Sequence, residues 1–447
     1  MFRCAAAALA SGLALGLGSC VGAAGDLALA EDPRVVWLRD EVVAIRSIDP
    51  ADDDFSDLRA LGSILDGAQV VVLGEATHGD GETFLAKARL VRFLHREHGF
   101  DVLAFESGFY DCWKAWRAIA AGSDPETAFR QSVFPVWTRN RELEPLIDHF
   151  AAAARSERPL ELAGIDPQFT GELSERHLLD DLAAVADGVG MASAAWRERA
   201  AGPLANLVAA RYEMGEVPAE AARAEFFAAM SELAERLGAE PSALPERRFW
   251  LRLLESTAAH AAVSWQIDWS RPILESPHYG VRNRLMGEQL VWLARERFPG
   301  RRIVAWMHSG HAARGLRRVE VQSPVHARLY RTLQPAGAVA HAELGDTLYT
   351  VAVLAYQGRY RTPRGLSEEL LRPTAGSLED LLQRTGLPYG FLDLSGPARR
   401  PPWLGRPLIA RPIGYKEMRA RWPEVFDGIL FLDRMRPPER AGAAPQG

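Results

Sequence analysis

Gln69-Val-Val-Val-Leu-Gly-Glu-Ala-Thr-His78 is a short apolar run, rich in Val, that breaks at Gly74 into a turn carrying Glu75 and His78. Such a run reads as a buried strand. Its polar pair then lies just beyond the carboxyl end. Ligands bind there in open α/β sheets, because parallel strands deliver their terminal loops to one edge. The construction recurs at Asp101-Val-Leu-Ala-Phe-Glu106, at Leu160-Glu-Leu-Ala-Gly-Ile-Asp166 and at Arg302-Ile-Val-Ala-Trp-Met-His308, the last followed by Ser309, Gly310 and His311. A solvated loop supplies one such ending easily. Four of them bring Glu75, His78, Glu106, Asp166, His308 and His311 toward one rim.

The chain has 447 residues, 48% of them apolar, so it can bury a large core. Length alone suggests roughly three domains, a prior that α/β enzymes often violate. A net charge of -6 with scattered Lys and Arg gives no reason to expect a nucleic-acid partner. The N-terminus differs in character. Phe2-Arg3 precedes a small-residue, Leu-rich run from Cys4 to Gly18, too short and too rich in Gly and Ala for a transmembrane helix. Residues 1–24 fit a secretory signal peptide. Leu17-Gly-Ser-Cys20 is similar to a bacterial lipobox, which predicts cleavage before Cys20 and a lipid anchor on it. Ordinary cleavage after Ala23 or Ala24 is the rival. The mature protein is expected in the cell envelope, periplasmic or membrane-anchored, with secretion as the alternative. Of three cysteines, Cys4 and Cys20 belong to this signal, leaving Cys112 in the body as a buried structural thiol.

The fold class expected is α/β, a mainly parallel sheet with flanking helices, a helical insertion over about 172–300 and a late antiparallel hairpin. Glu82 to His98 carries apolar residues at helical spacing, with Gly99 as end cap and His95, Arg96 and His98 as solvated residues at the negative helix end. The strand that follows makes a strand, helix, strand unit, which implies parallel pairing. The break at Phe134-Pro-Val-Trp-Thr-Arg-Asn140 reads as a pocket border or a packing corner. Residues 172–264 are rich in Ala, Glu, Leu and Arg and read as helical, by analogy a cap over the carboxyl edge. Later strands are expected at Ala338 to Glu343, Thr347 to Tyr356, Gly390 to Leu394 and Gly428 to Leu432, with Leu344-Gly-Asp346 as a hairpin turn between the first two. Residues 437–447, rich in Pro, Ala and Gly, are expected to be disordered.

Glu75 and His78 are three apart, as are His308 and His311. If each segment turns helically past its strand, both members of a pair share a face. Imidazole titrates near neutral pH, so it can take a proton from water and return it to a leaving alkoxide. A buried carboxylate beside it fixes its tautomer. Nucleophile alternatives are poorer: there is no Gly-x-Ser-x-Gly elbow, no phosphate loop and no dinucleotide fingerprint. His78, His308 and His311 are acceptable zinc ligands by type, but His-Glu-x-x-His is absent, so no cofactor is predicted and a divalent metal stays open. His149, His177, His260, His326 and His341 read as ordinary core or surface residues.

Gly74-Glu-Ala-Thr-His-Gly79 with Glu82, Phe105-Glu106, Gly164-Ile-Asp166, Arg282-Asn-Arg-Leu-Met286, Trp306-Met-His-Ser-Gly-His311, Leu344-Gly-Asp346 and Phe426-Asp-Gly-Ile-Leu-Phe431 together resemble the erythromycin esterase-like family. The resemblance spans residues 35–435, one hydrolase domain containing the helical subdomain. It implies an α/β core and hydrolysis of an ester or macrolactone by activated water. By it His78 is the general base, Glu106 its carboxylate partner, and Glu75 an orienter of the water. His308 or His311 would hold the oxyanion or protonate the alkoxide, and Arg282, Lys87 and Asp166 would contact substrate. The chain departs from the family pattern at Lys87, Asn283 and Ser309, where Arg, Asp and Asn are usual. Two other classes fit the same residues: a catalytically silent envelope protein that binds a small molecule, and a metal-dependent hydrolase of another bond.

Overall fold

The computed structural model describes residues 31–210, 216–239, 246–268, 277–363, 365–396 and 401–441. The proposed signal, with Cys4 and Cys20, lies outside them, as does the tail from 442. In chain order the strands are β1 (Val43–Ala44), β2 (Val70–Glu75), β3 (Phe100–Gly108), β4 (Glu161–Asp166), β5 (Arg302–His308), β6 (Glu320–Val321), β7 (Leu348–Arg361), β8 (Ser367–Glu369), β9 (Tyr389–Asp393), β10 (Leu408–Ala410), β11 (Met418–Ala420) and β12 (Gly428–Met435). The main sheet runs β1-β9-β12-β7-β2-β5-β3-β4, with β8 folded back on β7. From β12 to β4 every neighbouring pair is parallel, and on the other side β9 joins β12 and β1 joins β9, both antiparallel. All six residues of β2 are buried, as continuous apolar runs in parallel sheets covered on both faces should be.

Alternation along each strand divides the core in two. Val70, Val72, Val102, Ala104, Ile303 and Ala305 join one layer, whereas Val71, Leu73, Leu103, Phe105, Val304 and Trp306 join the other. The second layer takes the helix Gly81–His98, which ends on Gly99 in the left-handed conformation (φ 68°). The first layer takes the helices between β4 and β5, namely Leu173–Gly188, Ser193–Ala209, Glu220–Ala239, Arg247–Ser264 and Pro277–Trp292.

Three local readings are corrected. Ala338 to Glu343 is part of a helix, Ala336–Leu344, not a strand. The antiparallel elements are instead the β7–β8 return and a separate sheet, β10-β11-β6. His95 is not solvated: it is 6% exposed and lies 3.0 Å from His149 Nε2. Residues 437–441 are tied down where they were expected to be disordered, because Arg141 N donates to Glu439 O (2.8 Å) and Ala441 N to Arg139 O (2.9 Å).

Candidate active site

The strand order puts β5 between β2 and β3, so the carboxyl ends of β2, β5, β3 and β4 stand side by side. Glu75 pairs in register with His308, and Phe105 with Trp306. Between β3 and β4 the register slips: Phe105 faces Gly164 but Gly108 faces Asp166, leaving one extra residue on β3. A bulge of this kind re-aims a side chain. Glu106 sits in it.

Glu75 continues the parity of Val71 and Leu73 toward the layer of helix Gly81–His98. It is fully buried and accepts three hydrogen bonds: His78 Nδ1 and Trp137 Nε1 on Oε1, each at 2.7 Å, and Lys87 Nζ on Oε2 at 2.5 Å. Burial alone would lift its carboxyl, but the Lys87 and His78 charges beside it hold it below the usual value. Lys87 is itself fully buried and stands 4.0 Å from the Trp306 ring centroid; burial brings its ammonium down to about 8. The position expected to touch substrate therefore turns its charge inward, onto Glu75.

His78 carries its proton on Nδ1, facing Glu75, which leaves the Nε2 lone pair outward. Among the described residues Nε2 takes no hydrogen bond. Burial works against the imidazolium, but the hydrogen bond donated to Glu75 and the Glu106 charge outweigh it and raise His78 above the ordinary histidine value. Its side chain is 31% exposed, against 13% for Arg282 and 4% for Glu106. The turn holding it is braced from beneath. Asp80 accepts from Thr77 N (2.9 Å) and Thr77 Oγ1 (2.7 Å), and Gly79 O accepts from Arg361 N (2.9 Å).

A second group is formed by Glu106, Asp166, Arg282 and His311. Arg282, on helix Pro277–Trp292, donates Nε to Asp166 Oδ1 (3.0 Å) and Nη2 to both Asp166 Oδ2 and Glu106 Oε1 (2.8 Å), while His311 Nε2 lies 3.2 Å from Arg282 Nη1 and 3.2 Å from Glu106 Oε1. Glu106 Oε2 accepts from His308 N at 2.8 Å. Although burial would raise Glu106, His311 and Arg282 hold it well below the usual carboxylate range. His311 Nδ1 lies 2.7 Å from Asn283 Oδ1, an acceptor, so that nitrogen carries the proton. Asn283 is in turn fixed by Tyr279 O at 2.8 Å.

His308 stands between the two groups, its ring centroid 5.3 Å from His78 and 6.0 Å from His311. Both its nitrogens are used by the backbone: Nδ1 accepts from Gly310 N (3.0 Å), and Nε2 donates to Ala76 O (2.8 Å). Burial, then the charges of His78 and His311, push it down to about 3. It is a neutral clamp between the β5 and β2 loops.

The structure thus gathers all eight expected positions, Glu75, His78, Lys87, Glu106, Asp166, Arg282, His308 and His311, but in a different pairing. Glu75, not Glu106, is the carboxylate bonded to His78, because Glu106 is re-aimed by the bulge toward Arg282. Two participants were not among the expected site residues: Trp137, within the break read as a pocket border or a packing corner, whose indole holds Glu75 and packs edge-on against His78 at 5.2 Å, and Asn283, noted only as a departure from the family pattern, which orients His311. Among the described residues no group of three or more His, Cys, Asp or Glu is arranged to hold a metal ion. None of their helices is long and apolar enough to cross a membrane.

The family model described as Erythromycin esterase matches residues 95–435. A Bacillus subtilis (strain 168) protein, YbfO, named a hydrolase on a provisional basis, is 24% identical over 421 residues, covering 87% of this chain and 89% of that protein. Erythromycin esterase type I of Escherichia coli is 32% identical over 143 residues, 31% of this chain and 33% of its own. A crystal structure of a Bacillus cereus protein matches in fold with a TM-score of 0.72 at 17% identity, covering 92% of this chain and 98% of that one. A mutant of the erythromycin esterase EreC in its open conformation matches with a TM-score of 0.63 at 18% identity, covering 87% and 96%.

Proposed function

This chain belongs to the erythromycin esterase family, which supports a hydrolase, and from that premise we propose that it is a carboxylic-ester hydrolase acting on an ester or macrolactone with water activated by His78. The observation that carries the reading is the dyad: Glu75 fixes His78 Nδ1–H at 2.7 Å and leaves Nε2 as an outward base on a side chain that is 31% exposed. His78 Nε2 takes a proton as the water oxygen bonds to the ester carbonyl carbon. The tetrahedral oxyanion forms beside Arg282, whose guanidinium is held in place by Asp166 and Glu106 before any charge develops. Collapse breaks the carbon–oxygen bond, and the imidazolium of His78 returns its proton to the leaving alkoxide. Products are a carboxylic acid and an alcohol. His311, oriented by Asn283, steadies Arg282 from its third side, and His308 keeps the two loops in register.

A panel of macrolides and of aryl and alkyl esters, offered to the protein from Asp26 onward, tests this. Turnover of at least one ester that falls by about 10²–10⁴ in His78→Ala is expected. Undiminished turnover in folded His78→Ala sinks the reading. Export and lipidation are part of the proposal, supported by the lipobox-like Leu17-Gly-Ser-Cys20. In cells fed labelled palmitate, the full chain should carry label and Cys20→Ala should not; equal labelling of both would remove the anchor.

A further inference from the structure

Beside the His78 turn lies a cleft of about 730 Å³ that the mechanism above leaves unused. Its walls include Tyr415, Lys416, Arg372, His326 and Leu371. It is joined to the catalytic loop by backbone and side chain. Gly414 N donates to Ala76 O at 2.8 Å, the same carbonyl that holds His308, and the Tyr415 hydroxyl bonds the buried Asp80 that braces Thr77.

Tyr415 has φ 52°, so a bulky aromatic residue sits in the left-handed region. That conformation is unfavourable for a residue other than glycine and persists where the surroundings over-determine it, commonly at ligand sites. Here it follows Gly414, also left-handed at φ 61°, and the pair turns Tyr415 toward Asp80 while Lys416 faces the cleft.

The lining of the cleft is predominantly cationic, with Arg372, Arg411 and Lys416 against Glu417. Among the described residues no carboxylate pairs with Arg372 or Lys416. Arg411 on the wall is occupied by the backbone oxygens of Ala355 and Tyr356 and by Glu379, and the one acid of the lining, Glu417, is taken by Thr374 N (2.9 Å) and Thr374 Oγ1 (2.6 Å). Lys416 Nζ rests 3.3 Å from His326 Nε2, whose Nδ1 lies 2.8 Å from Ser323 Oγ, so the ammonium donates to a neutral imidazole. At the lip stands Leu371, 82% exposed, the most exposed large apolar side chain of the described residues.

We propose that this cleft recognises an anionic group on an apolar body, the part of the substrate that does not react, with Lys416 and Arg372 on the charge and Leu371 and Tyr415 on the apolar part. The inference deepens the hydrolase reading and rests on it for the identity of the occupant as substrate.

Two measurements separate the cleft from the chemistry. In calorimetric titration the wild-type protein should bind monohexyl phosphate more tightly than inorganic phosphate, and not bind hexanol. The double variant Arg372→Glu, Lys416→Glu, both exposed positions, should weaken hexyl phosphate by about tenfold or more, while His78→Ala binds it as wild type. Leu371→Ser should weaken hexyl phosphate and spare inorganic phosphate. Equal binding by wild type and the folded double variant, or no binding by wild type, overturns the proposal. In turnover the double variant should raise KM for 4-nitrophenyl hemisuccinate about tenfold and leave 4-nitrophenyl acetate within twofold. An equal loss on both esters also overturns it. Should wild type hydrolyse neither ester, the ester reading suffers and the titration alone decides the cleft.

Discussion

At the scale of residues the site is two half-sites of different character meeting at one rim. Glu75 is a carboxylate saturated by donors, so its work is to hold and polarise His78. Trp137 is one of those donors, and hydrogen bonds to a charged group are worth about 1.5–3 kcal/mol. Trp137→Phe should therefore lower kcat by roughly 10-fold to 100-fold with KM little changed. A folded Trp137→Phe protein with unaltered kcat would show that Glu75 needs only His78 and Lys87. The residue types at the rim were legible in the sequence, because each ends an apolar run. Their pairing was not: whether Glu75 or Glu106 meets His78 depends on a one-residue bulge opposite Gly164 and on a lysine 12 positions away whose burial has no local signal.

At the scale of elements, helix Pro277–Trp292 delivers both Arg282 and Asn283. Its position is set by close approach to helix Ala336–Leu344: a Cβ on Gly287 would stand 2.6 Å from Val339 Cβ and 2.7 Å from Ala336 O. Gly287→Leu should push the helix outward by forcing backbone to move, lowering kcat/KM at least about tenfold and Tm by several degrees. Unchanged kinetics in that variant would mean Arg282 is placed by its ion pairs alone. The same helix pair explains the misread strand at Ala338. Ala-Val-Ala-His-Ala alternates weakly, but Ala favours helix, and Gly337 meets Ala312 O so closely that a Cβ there would lie 2.0 Å from it. Long periodic segments such as Glu82 to His98 read correctly since their signal is local; short apolar runs do not carry enough of it.

At the scale of the molecule, Arg282 ties β3, β4 and the β5 loop through Glu106, Asp166 and His311. Breaking a buried ion network by removing one partner strands the others, typically at about 3–5 kcal/mol, so Arg282→Met should lower stability by that order as well as activity. Chemical denaturation reads it, and a loss under about 1 kcal/mol would count against the network as a structural tie. Glu106 adds a pH dependence of defined sign. Its folded carboxyl lies below the ordinary value of 4.5, so its contribution is present above 4.5 and is lost as pH falls through the lower folded value. Glu106→Gln should flatten the acid slope of Tm below that pH; an unchanged slope would assign acid unfolding to other groups. The parallel core was legible in the chain as buried Val-rich runs. The insertion of β5 between β2 and β3 was not, being a contact across more than two hundred residues that only the packed sheet decides.

The proposed hydrolysis requires His78 to act as a base held by Glu75, and kcat/KM against pH on the best ester measures that directly. His78 must be neutral to take a proton, so activity should rise with pH through a midpoint above 6.5 in the wild type. In folded Glu75→Gln that midpoint should move down, with the plateau reduced by about 10². A wild-type limb at or below 6.5, or one that Glu75→Gln leaves in place, would contradict the account.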